Sequence, residues 1–451
     1  MSHKLTIVIL LTISIAVHFA YFGRPKETVF DEVHFGKFVS AYYSGEYYFD
    51  IHPPLGKLAI AGFANLLDFN PNHYSFKNIG DPFPDKKYLA LRFLPALAGT
   101  LLPLVIYFLI LELGISRIAA FSGALLIIFD NALLTQSRLM LLDPFLLLFG
   151  FLSLLFYFKY ANNKILNTKY LILTAVFGGL AISIKWTGLS FIALPILIEL
   201  VEQLKTGIKP TFAKFVPVLR FTSFFIISAA IYFSVFALHF TLLPKPGPGD
   251  AFMKPGFREQ NLLKNIVNLN LEMYKSNQRL GATHPYGSKW YSWPPMTRPI
   301  FYWIKENSRI YFFGNPVVWW ASAIAVAISI KYLVLSTKKR NLDKIPVILL
   351  GGYALNLLPF IGVKRVMFLY HYLAALIFAI LMLVYLIDKT GSTFFDKTQD
   401  ESLTARKNAK KNFSVLIIAS AIVFIFFAPL SYGLPLSNKM YGLMIWFASW
   451  R

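Results

Sequence analysis

Two adjacent carboxylates follow the first apolar segment of the chain, in the stretch VFDEVHFG at residues 29–36. Asp31 and Glu32 would point in different directions on a helix or a strand, so spacing alone does not make them a matched acid–base pair. A solvated pair of loop charges is the ordinary alternative. Because Phe30 and Phe35 flank the pair at the end of an apolar run, desolvation would raise the carboxylate pKa and favour a general base.

Three cations lie near the ends of later apolar runs: Arg92 in YLALRFLPAL, Arg138 in TQSRLMLLDP and Lys185 in SIKWTGL. A charge at membrane depth is costly and usually functional. A structural ion pair with Asp143 or Asp130 is an equally good explanation of Arg138, whereas Lys185 has no acidic neighbour in the sequence. Several cations beside one carboxylate suit an anionic lipid phosphate that meets a nucleophile.

Histidines and tryptophans are the other candidates. The histidines on the same predicted side are His34, His52, His284 and His371. Each alone is explained as a hydrogen-bonding interface residue. Asp31, Glu32 and His34 are candidates for a divalent-metal site, Mg or Mn, but no spacing here is diagnostic, so a metal cofactor stays an open hypothesis. Trp290 and Trp293 are more typical of a membrane-interface belt than of a substrate platform.

Composition shows what must position these residues. The chain has 451 residues, of which 56% are hydrophobic and only 15% charged, whereas soluble domains carry about a quarter. Most of the chain is therefore expected in lipid. The net charge of +22 lies mostly between apolar runs, which favours a positive-inside topology over nucleic-acid binding. There is no cysteine, hence no disulfide, and no P-loop or GxGxxG motif indicates a nucleotide-driven pump.

Eleven apolar runs have spanning length, which predicts an all-α polytopic membrane protein. The first is interpreted as an uncleaved span because no A-x-A-like cleavage site follows it. The runs are Leu5–Phe22, Tyr88–Leu111, Ile118–Leu134, Met140–Phe158, Tyr170–Ile184, Leu189–Leu204, Val216–Phe240, Pro316–Leu335, Ile345–Gly362, Met367–Ile387 and Phe413–Ser431.

Lysines and arginines predict the orientation. They concentrate in the segments 159–169, 205–214, 338–344 and 389–411, whereas the short loops on the other side hold only Arg138, Lys185 and the pair Lys364/Arg365. The positive-inside rule then puts the N-terminus in the cytoplasm and the two long loops, 23–87 and 241–315, outside. Helical spacing over Glu32–Tyr43 and Leu55–Leu67 predicts short interfacial helices in the first loop.

Nine motifs in order along the chain resemble the protein O-mannosyltransferase family, which uses a polyprenyl or dolichyl phosphate mannose donor. The motifs are DEVHFG, YYFDIHPPLGKL, ALRFLPALAGT, FDNALLTQSRLMLLDP, SIKWTGL, HPYGSKWYSWPPMTRP, GNPVVWW, FLYHYLAAL and YGLPLS. The resemblance implies a GT-C glycosyltransferase fold with the acidic pair at Asp31 and Glu32, Asp31 acting as base. It implies donor contacts at Arg92, Arg138, Lys185, His52, Tyr370 and His371, and an acceptor or interface loop with His284, Trp290 and Trp293.

The implied reaction moves mannose to Ser or Thr hydroxyls of proteins on the extracytoplasmic face, by one inverting displacement. The implied regions are an N-terminal catalytic module (1–240), an outer loop (241–315) and a C-terminal membrane module (316–451). That outer loop is too short for the β-trefoil MIR insertion of eukaryotic members, so the chain resembles the shorter prokaryotic members of the plasma membrane.

Two alternatives stay open. One is a transferase of the same fold that delivers a lipid-phosphate-linked sugar to a lipid or glycan, as aminoarabinose transferases do. The other is a secondary transporter, which the absence of an internal repeat disfavours.

Overall fold

The computed structural model describes residues 2–163, 167–206, 215–279, 281, 283–339, 343–391 and 399–451. The four segments predicted to face the cytoplasm lie partly outside the described residues. The helices are α1 (His3–Phe19), α2 (Glu32–Ser44), α3 (Leu55–Asn65), α4 (Leu89–Glu112), α5 (Arg117–Ile128), α6 (Asn131–Ser137), α7 (Asp143–Ala161), α8 (Thr168–Ile184), α9 (Ser190–Thr206), α10 (Phe215–Leu242), α11 (Leu262–Arg279), α12 (Pro316–Lys339), α13 (Lys344–Leu357), α14 (Leu373–Gly391), α15 (Gln399–Tyr432) and α16 (Asn438–Met444). Two strands, β1 (Ile300–Lys305) and β2 (Ser308–Phe312), form a hairpin.

Each predicted apolar run coincides with a helix or with a bent pair of helices. Among the described residues, eight helical segments are long and apolar enough to cross a membrane, and α5 with α6 makes a ninth candidate bent by 59°. The other two runs form α1 and α8, apolar helices of 17 residues each. The helical membrane architecture is thus confirmed, and the count of eleven spans stays a prediction.

Three helices form the centre of the bundle. Within the apolar windows of α4, α7 and α14, between 67% and 72% of the residues are buried, against 17% for α10. Small residues allow close approach of neighbouring helices. A Cβ on Gly99 of α4 would lie only 2.4 Å from the Cβ of Ser137 in α6. The site-bearing elements are therefore anchored to the most buried part of the molecule.

The bend between α5 and α6 is held by one buried carboxylate. Asp130 caps α6 by accepting a bond from the Leu133 amide at 2.9 Å. Its other oxygen accepts from the Asn315 amide at 3.1 Å and from the Trp319 indole at 2.8 Å. These bonds join the bend to the start of α12, so α6 and the chain on either side of it keep one position.

The first outer loop contains the two short helices that the sequence predicts, α2 and α3. Gly45, with a φ of 75°, ends α2 in the left-handed conformation that glycine adopts without strain. Pro54 precedes α3 at its N-cap. α3 packs on α2, α4 and α8, which joins both short helices of this loop to the membrane helices.

The second outer loop departs from the all-helical expectation. Its hairpin has a register shift between Phe301 and Trp303, and such an irregularity redirects side chains. The Trp303 indole donates to the Glu27 carboxylate at 3.2 Å, and Lys305 forms an ion pair with the same group. These contacts join the hairpin, which contains Tyr302, to the first outer loop.

Candidate active site

A buried ion pair between Glu32 and Arg92 holds the first outer loop on α4. Each side chain is 1% exposed, and the guanidinium binds both carboxylate oxygens, with Nε–Oε1 at 2.7 Å and Nη2–Oε2 at 2.6 Å. The remaining N–H groups of Arg92 donate to three backbone carbonyls, those of Gly23, Pro25 and Glu27. All five donors of Arg92 are therefore used inside the protein.

The carboxylate of Glu32 is equally committed. Its Oε2 accepts from the Val29 amide at 2.9 Å, and its Oε1 accepts from the Met140 amide at 2.9 Å. Met140 belongs to the turn between α6 and α7, so Glu32 joins three parts of the chain. The structure thus places Glu32 and Arg92, both predicted as site residues, as a support beneath Asp31.

Asp31 is the uncommitted member of the acidic pair. It occupies the N-cap position of α2, yet its side chain makes no capping bond. In the part of the chain that the structure describes, its carboxylate has no hydrogen-bond or ion-pair partner, and the residue is half-buried. A partly accessible carboxylate without a partner is free to take a proton from a bound group.

The residue before Asp31 has a strained backbone. Phe30 has a φ of 47°, a conformation that aromatic residues seldom adopt. Its ring stacks on Tyr302 with centroids 3.9 Å apart and contacts Tyr370 edge-on. Packing from the hairpin and from the turn before α14 therefore maintains a conformation that costs on the order of 1–3 kcal/mol, as strained residues at functional sites do.

Burial raises the pKa of Asp31 to about 7. The positive charges of Lys185 and Arg365 act in the opposite direction, whereas Asp143 and Asp50 add to the rise. Since desolvation is the largest cause, the group resembles a carboxylic acid in a cleft more than one in an ion pair. A base with a pKa near neutrality is well matched to proton abstraction at physiological pH.

Lys185 lies at the end of α8 in a hydrogen-bond network whose members are far apart in the sequence. Its Nζ is 2.7 Å from Asp143 Oδ1, an acid 42 positions earlier. The other oxygen of Asp143 accepts from Gln136 at 2.7 Å, and Tyr302 donates to Gln136 at 2.8 Å. Because burial raises the pKa of Tyr302 well above its usual value, Tyr302 stays a donor. The network links Lys185 to the ring that stacks on Phe30.

The alternative explanation of Arg138, an ion pair with Asp143 or Asp130, is not found among the described residues. Arg138 instead donates to carbonyls at the end of α1, those of Ala20 and Tyr21 (2.7 Å for the latter), and its guanidinium lies 4.4 Å from the centre of the Tyr432 ring. The free carbonyls of a helix C-terminus attract a cation. The structure therefore gives Arg138 backbone partners that need no acid.

Arg365 is a site cation that the sequence analysis did not select. Its Nη2 is 3.3 Å from His371 Nε2, and its Nε is buried without a partner among the described residues. An unsatisfied buried guanidinium nitrogen indicates a missing acceptor. The only signal in the sequence was the pair Lys364/Arg365 in an outer loop that otherwise lacks charge.

His52 lies in the same cationic environment. Burial, followed by the charges of Lys185, Arg365 and Lys57, lowers its pKa well below the usual value, so His52 is neutral. Lys57 keeps the turn around His52 in place by pairing with Asp50 and donating to the His52 carbonyl at 2.8 Å.

The second outer loop brings its predicted residues to different depths. Exposed His284 and half-buried Trp290 line a cleft of about 790 Å³, whose opposite side contains Arg365. Trp293 is fully buried and stacks on His371, with ring centroids 5.8 Å apart. His284 and Trp290 are thus accessible to a molecule in the cleft, whereas Trp293 supports the wall.

The metal hypothesis gains no support from the donor set. Among the described residues, no three histidine or carboxylate side chains are grouped as metal ligands would be. Both oxygens of Glu32 are already bonded, and His34 is exposed on α2.

Two family profiles match the chain. The profile described as "Dolichyl-phosphate-mannose-protein mannosyltransferase" matches residues 8–244, and that of the "C-terminal four TMM region of protein-O-mannosyltransferase" matches residues 262–450. The chain belongs to the dolichyl-phosphate-mannose–protein mannosyltransferase family. The resemblance inferred from the motifs is thereby confirmed.

Curated members of this family share about a third of their residues with the chain where the two align. Dolichyl-phosphate-mannose–protein mannosyltransferase 4 of Schizosaccharomyces pombe is 36% identical over 59% of this chain and 36% of its own length. Protein O-mannosyltransferase 1 of Drosophila melanogaster is 34% identical over 55% and 29%. The chain thus spans about a third of the length of the curated mannosyltransferases it matches.

Solved structures establish the fold. The Saccharomyces cerevisiae Pmt1-Pmt2 complex bound to the sugar donor aligns with a TM-score of 0.90 at 20% identity, over 99% of this chain and 92% of the other. ArnT from Cupriavidus metallidurans bound to undecaprenyl phosphate aligns with a TM-score of 0.57 at 12% identity, over 98% and 79%. The mannosyltransferase family member described here therefore has the GT-C fold that its motifs implied.

The substitution Glu32→Gln tests the supporting role of the ion pair. We expect it to destabilise the protein by about 3–5 kcal/mol, because Arg92 is left buried without its counter-charge. The midpoint of thermal unfolding in detergent measures the effect. The isosteric change Asp31→Asn, one position away, is the matched control: it removes a desolvated charge that has no partner among the described residues, so the midpoint should not fall. Equal midpoints for native protein and Glu32→Gln would contradict the supporting role.

Proposed function

We propose that the protein transfers mannose from a polyprenyl or dolichyl-type phosphate mannose to Ser or Thr hydroxyls of acceptor proteins. One observation carries the proposal: in a member of this family, the only uncommitted carboxylate of the acidic pair has a pKa near 7 and lies in the field of Lys185 and Arg365. Such a group can activate a hydroxyl while the cations hold a phosphate.

The reaction needs one base. Asp31 accepts the proton of the acceptor hydroxyl as its oxygen attacks the anomeric carbon of the sugar. The bond from that carbon to the phosphate oxygen breaks, and the lipid phosphate leaves from the opposite side, so the configuration inverts. No covalent carboxylate intermediate is required, unlike in a retaining glycosidase. The commitment of Glu32 to Arg92 is consistent with this single-carboxylate mechanism.

The leaving phosphate gains negative charge and needs fixed cations. We assign this role to Lys185, which has donor capacity beyond its bond to Asp143, and to Arg365, whose Nε lacks an acceptor among the described residues. His52, Tyr370 and His371 each lie near Lys185 or Arg365, and we assign them contacts to the donor. Arg92 and Arg138 are assigned to positioning, because internal acceptors use every N–H of Arg92 and backbone carbonyls at the end of α1 accept from Arg138.

The cleft beside Arg365 suits the acceptor. It is open to the outside and is lined by backbone and side chains of the loop that contains His284 and Trp290. An extended peptide could bring a hydroxyl toward Asp31 while its flanking residues lie in this cleft. Region 1–240 would then supply the catalytic carboxylate, region 241–315 the acceptor loop, and region 316–451 the phosphate-binding Arg365.

The protein is an integral membrane protein by the character of its helices and its family. We propose the plasma membrane of a prokaryote, with the N-terminus in the cytoplasm and the catalytic site outside. Transfer to a lipid acceptor is less supported, since the matching family profiles are those of protein mannosyltransferases.

The substitution Asp31→Asn should abolish transfer. Membranes that contain the native or the variant protein are given radiolabelled polyprenyl phosphate mannose and a Ser/Thr-rich peptide. We expect the rate of peptide labelling to fall by about 10²–10⁴-fold, the usual contribution of a general base. Transfer at the native rate by Asp31→Asn would refute the base assignment. Label on a lipid instead of the peptide would favour the lipid-modifying alternative.

The pH dependence of transfer follows from the pKa of Asp31. The base is active when deprotonated, so kcat/KM should rise with pH up to about 7 and level off above it. Well below that pH the rate should fall about tenfold per pH unit, since the deprotonated fraction does so. A profile that is flat between pH 5 and 7 would show that Asp31 is not the titrating base.

Arg365→Gln should weaken use of the donor. Loss of a charge-assisted contact to phosphate is expected to lower kcat/KM by about 10–100-fold, equivalent to about 1.5–3 kcal/mol. The exposed Lys439→Gln removes the same charge from a position that does not line this cleft and is the matched control. The initial rate of transfer over a range of donor concentrations distinguishes them. Equal effects of the two changes would indicate general charge attraction in place of a phosphate contact.

A further inference from the structure

A second cleft lies at the end of the bundle opposite to Asp31. It has a volume of about 620 Å³ and lies between the start of α5 and the cytoplasm-directed ends of α14 and α15, where "cytoplasm-directed" follows the proposed orientation. α4 has 24 residues, with Arg92 near its first turn, and ends just before this cleft. At about 1.5 Å per residue, its two ends are about 36 Å apart. The cleft is therefore separate from the catalytic site.

Three cations from three helices line this cleft: Arg117 of α5, Lys389 of α14 and Lys410 of α15. Arg117 and Lys410 are exposed and have no acidic partner among the described residues. Lys389 is 3.9 Å from Asp343, a long ion pair. Convergence of three cations from separate helices is repulsive unless an anion lies between them.

Asp388, the acid that lines the cleft, is bonded to the start of α5. Asp388 caps the start of α5: its carboxylate accepts from the Ser116 amide at 3.2 Å and from the Ser116 hydroxyl. With Asp343 beside Lys389 and Asp388 at the start of α5, the cleft keeps an excess of one positive charge, and among the described residues Arg117 and Lys410 have no acidic partner.

Apolar side chains complete the lining. Ile118 is 40% exposed, Ile345 is half-buried and Phe413 is almost fully buried. Cations beside apolar side chains at the end of a membrane bundle suit an amphipathic ligand, with a phosphate among the cations and hydrocarbon along the helices. A small soluble anion would leave the apolar part unused.

We propose that this cleft binds the phosphate of an anionic phospholipid. The lipid neutralises Arg117, Lys389 and Lys410 and joins α5 to α14 and α15 at the inner membrane surface. Each cation supplies a charge-assisted bond to phosphate, and Arg117 can supply two parallel ones. Because the site lies far from Asp31, its occupancy stabilises the bundle and takes no part in transfer chemistry.

The test measures how much an anionic lipid stabilises the full-length protein. Native protein is placed in nanodiscs of phosphatidylcholine alone or of phosphatidylcholine with phosphatidylglycerol, and the midpoints of thermal unfolding are compared. We expect phosphatidylglycerol to raise the midpoint of the native protein. The double variant Arg117→Gln/Lys410→Gln should lose at least half of that gain, since ligand binding to the folded state is what raises the midpoint.

The matched control is Lys407→Gln/Lys411→Gln. It removes the same charge from exposed positions of α15 that do not line the cleft, and it should keep the native gain. An equal loss in both double variants would reveal general surface attraction and overturn the proposal, as would no loss in either. Gains are compared within each protein, so a lower midpoint in phosphatidylcholine alone does not affect the result.

A further arm distinguishes lipid from free phosphate. Glycerol phosphate is added in solution to native protein in phosphatidylcholine nanodiscs, and no gain in the midpoint is expected. A gain as large as that from phosphatidylglycerol would show that a soluble phosphoryl compound suffices, which would overturn the lipid assignment.

Discussion

The ion pair between Glu32 and Arg92 is the constraint on which the outer half of the molecule depends. Two charges that are each 1% exposed lose their hydration, and that loss is recovered only when every donor and acceptor is satisfied. Here the recovery uses backbone groups from the first outer loop and the α6–α7 turn. The same bonds that satisfy the charges therefore fix where α2 begins, and with it the position of Asp31.

Neighbouring carboxylates consequently have opposite roles. Glu32 is saturated with donors, whereas Asp31, one residue earlier, has none among the described residues. Burial without a partner is what raises the pKa of Asp31, and the rigid support beneath it prevents a rearrangement that would supply one. The strained backbone at Phe30, held by the ring of Tyr302, belongs to the same arrangement. Asp31 lacks the bonds that Glu32 receives, and this difference suits Asp31 to the proposed role of base.

The cations are divided in the same way. The N–H groups of Arg92 and Arg138 donate mainly to backbone carbonyls. Lys185 and Arg365, near Asp31, keep N–H groups that have no acceptor among the described residues. The hairpin of the second outer loop connects Phe30 with the hydrogen-bond network of Lys185. Tyr302 stacks its ring on Phe30 and donates its hydroxyl to Gln136 of that network. Elements from three distant parts of the sequence therefore converge on one small volume at the outer ends of the helices.

The sequence by itself determined the membrane architecture, the family and the identity of Asp31 as the candidate base. Apolar runs and short motifs depend on local interactions. Burial in hydrocarbon sets the length of the membrane helices, and Gly45 and the Pro53-Pro54 pair delimit the helices of the first loop. Motif order carried the GT-C fold, which the solved structures confirm. The hairpin at Ile300–Phe312 was missed because its aromatic residues also suit a membrane interface.

Only the tertiary structure decided which charges are free. The hydrogen-bond partners of Lys185, Arg92 and Arg138 lie 42 to 120 positions away. Most of these partners accept through backbone carbonyls, which leave no trace in side-chain patterns. Sequence reasoning could not find the carbonyl partners of Arg138 for that reason. Arg365 was overlooked because an unsatisfied nitrogen exists only once the surrounding chain has folded around it. The sequence states which residues are charged. Whether a charged side chain is bonded inside the protein or available to a ligand depends on long-range packing.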